Sequence, residues 1–169
     1  MTLCVYRNNT MYSDIKVTTG NHSITNNSNK TFKIYRNSIT KELTLHPAHD
    51  EYAIISCSGY IENIPRFLNW FINNDHDSFP TSYLDIPLGE DYNTYLVMFK
   101  NKLRLYKDFK SGCYIEFPLT ETVCIGSGAT EAHTLLTYNS NINIEDVFQT
   151  VSKVNYTVGD SFNTITFND

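Results

Sequence analysis

The sequence predicts a layered α+β domain, and three observations carry that prediction. Strand-like segments come in runs, followed by a helix, more strands, two helices and a last strand, rather than alternating one for one with helices. At two places, 61–72 and 144–154, apolar residues recur at three- and four-residue steps, the spacing of a helix with one buried face. The chain has 169 residues, 41% hydrophobic and 14% aromatic, which suits a single domain over 1–169 with a substantial core of its own.

The first element is a hairpin. Thr2 to Arg7 is rich in β-favouring residues, Asn8-Asn9 suits the positive φ of a two-residue turn, and Thr10 to Thr18 returns. The polar stretch GNHSITNNSNK that follows reads as an exposed loop. Thr31 to Ile39 and Glu42 to Leu45 form a candidate strand pair, with a turn around Pro47. Tyr52 to Cys57 is nearly continuously apolar, as expected of a strand buried on both faces.

Ile61, Ile64, Phe67, Leu68, Phe71 and Ile72 then mark the first helix, with Trp70 beside the stripe and Pro65 at its first turn or at a kink. The segment from Asn73 to Asn93 holds two prolines, Gly89 and many acids and reads as an irregular connection. Tyr95 to Lys100 and Leu103 to Tyr106 flank a turn at Asn101-Lys102. Tyr114 to Phe117 and Thr122 to Ile125 continue the strands. After Gly126-Ser127-Gly128 come helices over Ala129 to Tyr138 and Ile144 to Val154, and Phe162 to Phe167 alternates as a final strand.

Charge and cysteine usage exclude several classes. A net charge of −5 argues against nucleic acid as a partner, since phosphate contacts need lysine and arginine in excess. No window approaches the roughly 18 apolar residues of a membrane span, and no basic leader precedes an apolar run, so a cytoplasmic protein without a membrane partner is expected. Cys4, Cys57, Cys113 and Cys124 lack CxxC spacing and read as free thiols. His46, His49, Asp50 and Glu51 have residue types that suit zinc, but Pro47 breaks the helix such ligands would use, and a polar turn explains them more simply. The acids between Asp75 and Asp91 lack calcium-loop spacing. Neither cofactor nor metal is expected.

The order of elements is that of the proteasome β-subunit family, and short motifs along nearly the whole chain strengthen the likeness. Met-Thr-Leu-Cys-Val resembles the opening of the bacterial ancestral β-subunit branch, and Asp14-Ile15-Lys16-Val17-Thr18 is similar to the family's Asp-x-Arg-x-Thr. Lys33-Ile34 looks like the catalytic-lysine strand, and Ser58-Gly59 stands where the family carries Gly-Gly. Ile125-Gly126-Ser127-Gly128 looks like the Gly-Ser-Gly before the third helix, and Asn155-Tyr156-Thr157 resembles a segment of the ATP-dependent peptidase HslV. The resemblance implies a four-layer αββα sandwich of the N-terminal-nucleophile (Ntn) hydrolase type. The short, broken stretch before Tyr95 implies a reduced second helix.

Register adds a constraint. With Asn8-Asn9 as the turn, paired positions sum to 17, so Thr2 faces Ile15, next to Asp14. The resemblance places the nucleophile at that position. An N-terminal threonine, freed by removal of Met1, can attack a carbonyl while its own α-amine, with a reference pKa of about 7.7 to 8.0, takes the proton. By the same resemblance Lys33 would lower the hydroxyl pKa, Asp14 would orient that lysine, Ser127 would bond near the α-amine, and the Gly59 N–H would stabilise the oxyanion. The family's acidic residue near the fourth helix falls on Val154, with Asn155 and Asp160 nearby.

Three functions follow from this reading. The first is a threonine-type peptidase acting on peptides or unfolded protein, as a homo-oligomer and with an ATPase unfoldase as partner. The second is a catalytically inactive protein of the same fold that binds or forms rings. The third is a small-amide hydrolase, since fold alone does not select substrate. The Asn, Lys and Ile usage suits an AT-rich genome such as that of a bacteriophage or small-genome bacterium.

Overall fold

The computed structural model describes residues 2–19, 22–25, 28–77, 93–107 and 114–168. Its first sheet begins with β1 (Leu3–Arg7) and β2 (Thr10–Asp14), joined through Asn8 and Asn9 at φ 51° and 58°. Both turn residues are left-handed, which matches the twist of the flanking strands and which asparagine tolerates better than most residues. The pairs Cys4 with Ser13, Val5 with Tyr12 and Tyr6 with Met11 all sum to 17, the register read from the sequence.

Ile15 and Lys16 interrupt the return strand. β3 (Val17–Thr19) then pairs with β4 (His22–Thr25) as a separate two-stranded sheet. The polar stretch read as an exposed loop therefore contains a strand, and it ends in Lys30, which is 4% exposed. Its composition concealed both features, because the strand lacks apolar alternation and the lysine is buried against charged and polar partners rather than apolar ones.

The second sheet contains β5 (Thr31–Arg36), β6 (Leu43–Thr44), β7 (Asp50–Ser58), β8 (Thr94–Phe99), β9 (Leu103–Lys107) and β10 (Tyr114–Phe117), in the order β10-β9-β8-β7-β5-β6. β5 is shorter than the stretch to Ile39, because the Asn37 side chain accepts from the N–H groups of Ile39 and Thr40 and turns the chain. β11 (Val123–Gly126) and β12 (Phe162–Thr166) complete the first sheet in the order β11-β1-β2-β12. Pairing within these sheets is antiparallel.

Among the described residues three helices cover the sheets: α1 (Ile64–Asn73), α2 (Ala129–Tyr138) and α3 (Ile144–Val154). A 3-10 turn over Ile61–Asn63 leads into α1, so Pro65 sits in the first helical turn, where its missing N–H has no helical partner to lose. Asn143 caps α3 by accepting from the Glu145 N–H at 3.1 Å.

Strand alternation sorts side chains into the layers. Leu3 and Val5 face α2 and α3, packing with Ala132, Val147, Phe148 and Val151. Their neighbours Cys4 and Tyr6 point the other way, between the sheets, to Ile54, Leu96 and Met98. Across the second sheet Ala53, Ile55, Cys57, Tyr95 and Val97 meet Phe67, Leu68 and Phe71 of α1. Trp70 is buried within that cluster rather than beside it. β7 is apolar on both faces because it lies in the middle layer, between helix and sheet.

The layers are therefore helices, sheet, sheet, helix, the α+β architecture that the element order predicts. The segment expected to hold a reduced second helix, 78–92, lies outside the described residues. Cys4, Cys57 and Cys124 are free thiols, and Cys113 lies outside the described residues. No helix among the described residues is long and apolar enough to cross a membrane.

Candidate active site

Thr2 precedes β1 at one end of the sandwich and is 1% exposed. The β1/β2 register brings it beside Asp14, whose carboxylate is fully buried. The Thr2 hydroxyl donates to Asp14 Oδ1. The Leu3 N–H reaches the same oxygen at 3.2 Å, while the Gly159 N–H reaches Oδ2 at 2.9 Å.

The cation at this site is Lys30. Its Nζ lies 2.6 Å from Thr2 Oγ1 and 2.9 Å from Asp14 Oδ1, and it also donates to the Lys16 carbonyl. The ammonium thus has three oxygen acceptors, matching its three protons. The Lys30 carbonyl accepts from the Cys57 N–H at 2.9 Å, which anchors its backbone to the end of β7.

Lys33, the residue the sequence reading put in this role, lies elsewhere. It pairs with Ile54 in the β5/β7 ladder, and its ammonium bonds Glu51. Pairs such as Thr31 with Ser56 and Lys33 with Ile54 run toward opposite ends of β7. Three residues of strand, about 10 Å, therefore separate Lys33 from the end where Thr2 sits. The physical reason for the correction is this register, which only the pairing of β5 with β7 defines.

Burial pushes the Asp14 carboxyl above the ordinary carboxylate range, while the Lys30 charge and the Gly159 and Leu3 N–H groups pull it down. Beside it, burial raises the Cys4 thiol to about 11, so that sulfur stays protonated and is not a competing nucleophile at neutral pH.

The Thr2 backbone is held as firmly as its side chain. Its carbonyl accepts from the Ser127 N–H at 2.8 Å. Gly126 pairs with Leu3 at φ 102°, where an added Cβ would sit 1.9 Å from the Thr2 carbonyl oxygen and 2.9 Å from Ser58 Oγ. Only glycine allows β11 to approach Thr2 this closely.

Ser127 Oγ lies 2.7 Å from Thr157 Oγ1. Thr157 in turn donates to Asn155 Oδ1 at 2.6 Å, and the Asn155 amide donates to the Ser127 carbonyl at 2.8 Å. That last bond fixes the amide orientation, since a flipped amide would oppose two oxygens. The Thr157 proton is therefore committed to Asn155, and Ser127 gives its own proton to Thr157. Ser127 Oγ also lies 3.4 Å from the Thr2 carbonyl oxygen, the longer of its two contacts. Val154, where the resemblance puts an acid, is 70% exposed and takes no part.

Gly59 follows Ser58 at φ 126°, a conformation that demands glycine, and turns the chain from β7 toward α1. Asn93 clamps the next residue, accepting from the Tyr60 N–H at 2.8 Å and donating to the Tyr60 carbonyl at 2.9 Å. Lys30, Thr157 and Asn93 were absent from the sequence reading of the site. Each comes from a different segment, and nothing local marks them.

His46 and His49 have ring centroids 6.1 Å apart, while Glu51 is engaged with Lys33 and Asn168. Among the described residues no group of three or more histidine, cysteine or carboxylate side chains could hold a metal ion.

Two of the solved structures that match the fold do so over nearly the whole chain. Eukaryotic HslV from Trypanosoma brucei shares 12% identity, with a TM-score of 0.55 over 99% of both chains. Thiobacillus denitrificans BPH, solved in complex with epoxomicin, shares 12% identity, with a TM-score of 0.56 over 100% of both. At this identity the likeness establishes the fold alone, the layered two-sheet sandwich of these neighbours. No family model matches the chain, and no curated protein matches its sequence.

Proposed function

We propose that this chain is a threonine-type peptidase of the proteasome and HslV class, with Thr2 as the nucleophile once Met1 is removed. The observation that carries the reading is the buried Thr2, Lys30 and Asp14 cluster, with Lys30 Nζ 2.6 Å from the hydroxyl oxygen. A cation at that distance favours the developing alkoxide, and Asp14 holds the cation in place. The α-amine of Thr2 takes the hydroxyl proton as the oxygen attacks a peptide carbonyl. It then passes that proton to the leaving amine, giving an acyl-enzyme that water hydrolyses. In this scheme Ser127, whose Oγ lies 3.4 Å from the Thr2 carbonyl oxygen, bonds near the α-amine. The Gly59 N–H stabilises the oxyanion in this scheme.

The substrate class is peptide or unfolded protein. The fold likeness to HslV supports a homo-oligomer working with an ATPase unfoldase. The epoxomicin complex of the second neighbour supports a peptide-like ligand.

A non-catalytic binding or ring-forming protein is the second reading. It is favoured by the neutral Asn155 and the exposed Val154 where the resemblance places an acid. An intact mass followed by incubation with a β-lactone probe separates the two. Loss of the Met1 mass and one adduct per chain, abolished by Thr2→Ala, supports the peptidase. Retained Met1 and no adduct leaves the binding protein.

A further inference from the structure

Ser127 is placed by its contacts more than by its own stretch of backbone. It lies between Gly126 and Gly128, and Gly126 sits at φ 102°, so the local chain restrains it weakly. Yet Ser127 carries the tie to the nucleophile, since its N–H donates to the Thr2 carbonyl at 2.8 Å. What fixes Ser127 comes from the segment between α3 and β12.

Asn155 opens that segment and is held at both of its peptide groups. Its N–H donates to the Val151 carbonyl at 2.8 Å, closing the last turn of α3, and its carbonyl accepts from the Val158 N–H at 3.1 Å. The side chain uses both arms. Oδ1 accepts from the Thr157 hydroxyl at 2.6 Å and from the Thr157 N–H at 3.2 Å, while the amide nitrogen donates to the Ser127 carbonyl at 2.8 Å. Thr157 is 3% exposed, and its Oγ1 lies 2.7 Å from Ser127 Oγ. The bonds therefore close into a ring that grips Ser127 by its carbonyl and by its hydroxyl at once.

The direction of that ring decides which side chain can stand at 155. A carboxylate only accepts. It would keep the bonds from Thr157, but its second oxygen would meet the Ser127 carbonyl oxygen where the amide nitrogen now donates at 2.8 Å, two acceptors with no proton between them. A protonated carboxyl would restore the ring, because its O–H can donate to Ser127 as the amide does. A neutral donor at 155 is what this geometry requires.

We propose that Asn155 is a positioning residue, whose amide locks Ser127 and through it Thr2, and that an acid at the same place breaks this lock. Its effect on the nucleophile rests on the peptidase reading. The test is the β-lactone labelling rate of Asn155→Asp, Asn155→Ala, Thr157→Val and Thr157→Ser, each divided by the parent rate between about pH 5 and 9, with circular dichroism showing which variants fold. Asn155→Ala and Thr157→Val should label about tenfold more slowly at every pH, and Thr157→Ser should recover most of that loss. For Asn155→Asp the ratio should be highest at the acid end and fall as the carboxyl ionises. A purely electrostatic role gives the opposite slope, because a negative charge near the α-amine would hold its proton and slow labelling at low pH. The Ser127 amide resonance in ¹⁵N-resolved NMR reads the ring without chemistry, and it should show a titration in Asn155→Asp that the parent and Asn155→Ala lack. An unlabelled parent together with that titration sinks the peptidase reading and leaves the ring standing. A ratio for folded Asn155→Asp that is flat or rises with pH, or a Ser127 amide without the added titration, overturns the proposal. If Asn155→Asp does not fold, a folded Thr157→Val with the parent's labelling rate and Ser127 amide shift overturns it instead.

Discussion

Lys30→Ala and Lys33→Ala form the sharpest pair of perturbations, because the two lysines sit on one short segment and differ in surroundings. Lys30 and Asp14 are 4% and 0% exposed, so removing the lysine strands a carboxylate that water cannot reach. Breaking a buried pair of this kind costs about 3–5 kcal/mol. For a domain of this size each kcal/mol lowers Tm by about 2–4 °C, so Lys30→Ala should melt about 6–20 °C below the parent. Lys33 and Glu51 retain 20% and 11% side-chain exposure, and Glu51 keeps two bonds from Asn168 without the lysine. Lys33→Ala should therefore cost about 1 kcal/mol at most. Thermal unfolding of both variants, with β-lactone labelling followed by intact mass, reads fold and site together. Labelling should vanish in Lys30→Ala and persist in Lys33→Ala. Equal costs, or labelling lost only in Lys33→Ala, would refute the assignment of Lys30.

Three further outcomes are expected. Labelling should fall in two steps on the acid side, first as the α-amine, with a reference pKa of about 7.7 to 8.0, is protonated, and again as Asp14 is, at a higher pH than an exposed aspartate with its pKa near 3.9 would allow, because burial raises the Asp14 pKa. The folded state then binds that proton more tightly than the unfolded chain, so this carboxyl favours folding as the pH falls through its folded pKa; a pH series should show labelling lost before the fold. Gly126→Ala should abolish labelling even where circular dichroism shows a folded domain, since its Cβ would displace the Thr2 carbonyl. Asn8→Val should cost about 1–2 kcal/mol in urea unfolding, because a β-branched residue resists φ 51°, whereas Asn8→Gly should be nearly neutral.

The sequence by itself determined what depends on neighbours along the chain. Asn8-Asn9 specifies a turn with positive φ, and that turn sets the register that delivers Thr2 to Asp14. The three- and four-residue spacing of Ile64, Phe67, Leu68 and Phe71 defines α1, and the continuous apolar run of β7 announces a strand covered on both faces. Gly126 and Ser127 were readable through the likeness of Gly126-Ser127-Gly128 to a family motif, and the structure supplies the physical reason, the close approach of Gly126 to the Thr2 carbonyl.

Tertiary structure alone decided which lysine meets the threonine. The answer depends on the pairing of β5 with β7, so a three-residue difference in position becomes about 10 Å in space, which a local motif does not encode. The same holds for the Thr157 and Asn155 chain behind Ser127 and for the Asn93 clamp on Tyr60. Each is a polar residue of ordinary local character, and its role comes from segments brought together by burial of the layers between them.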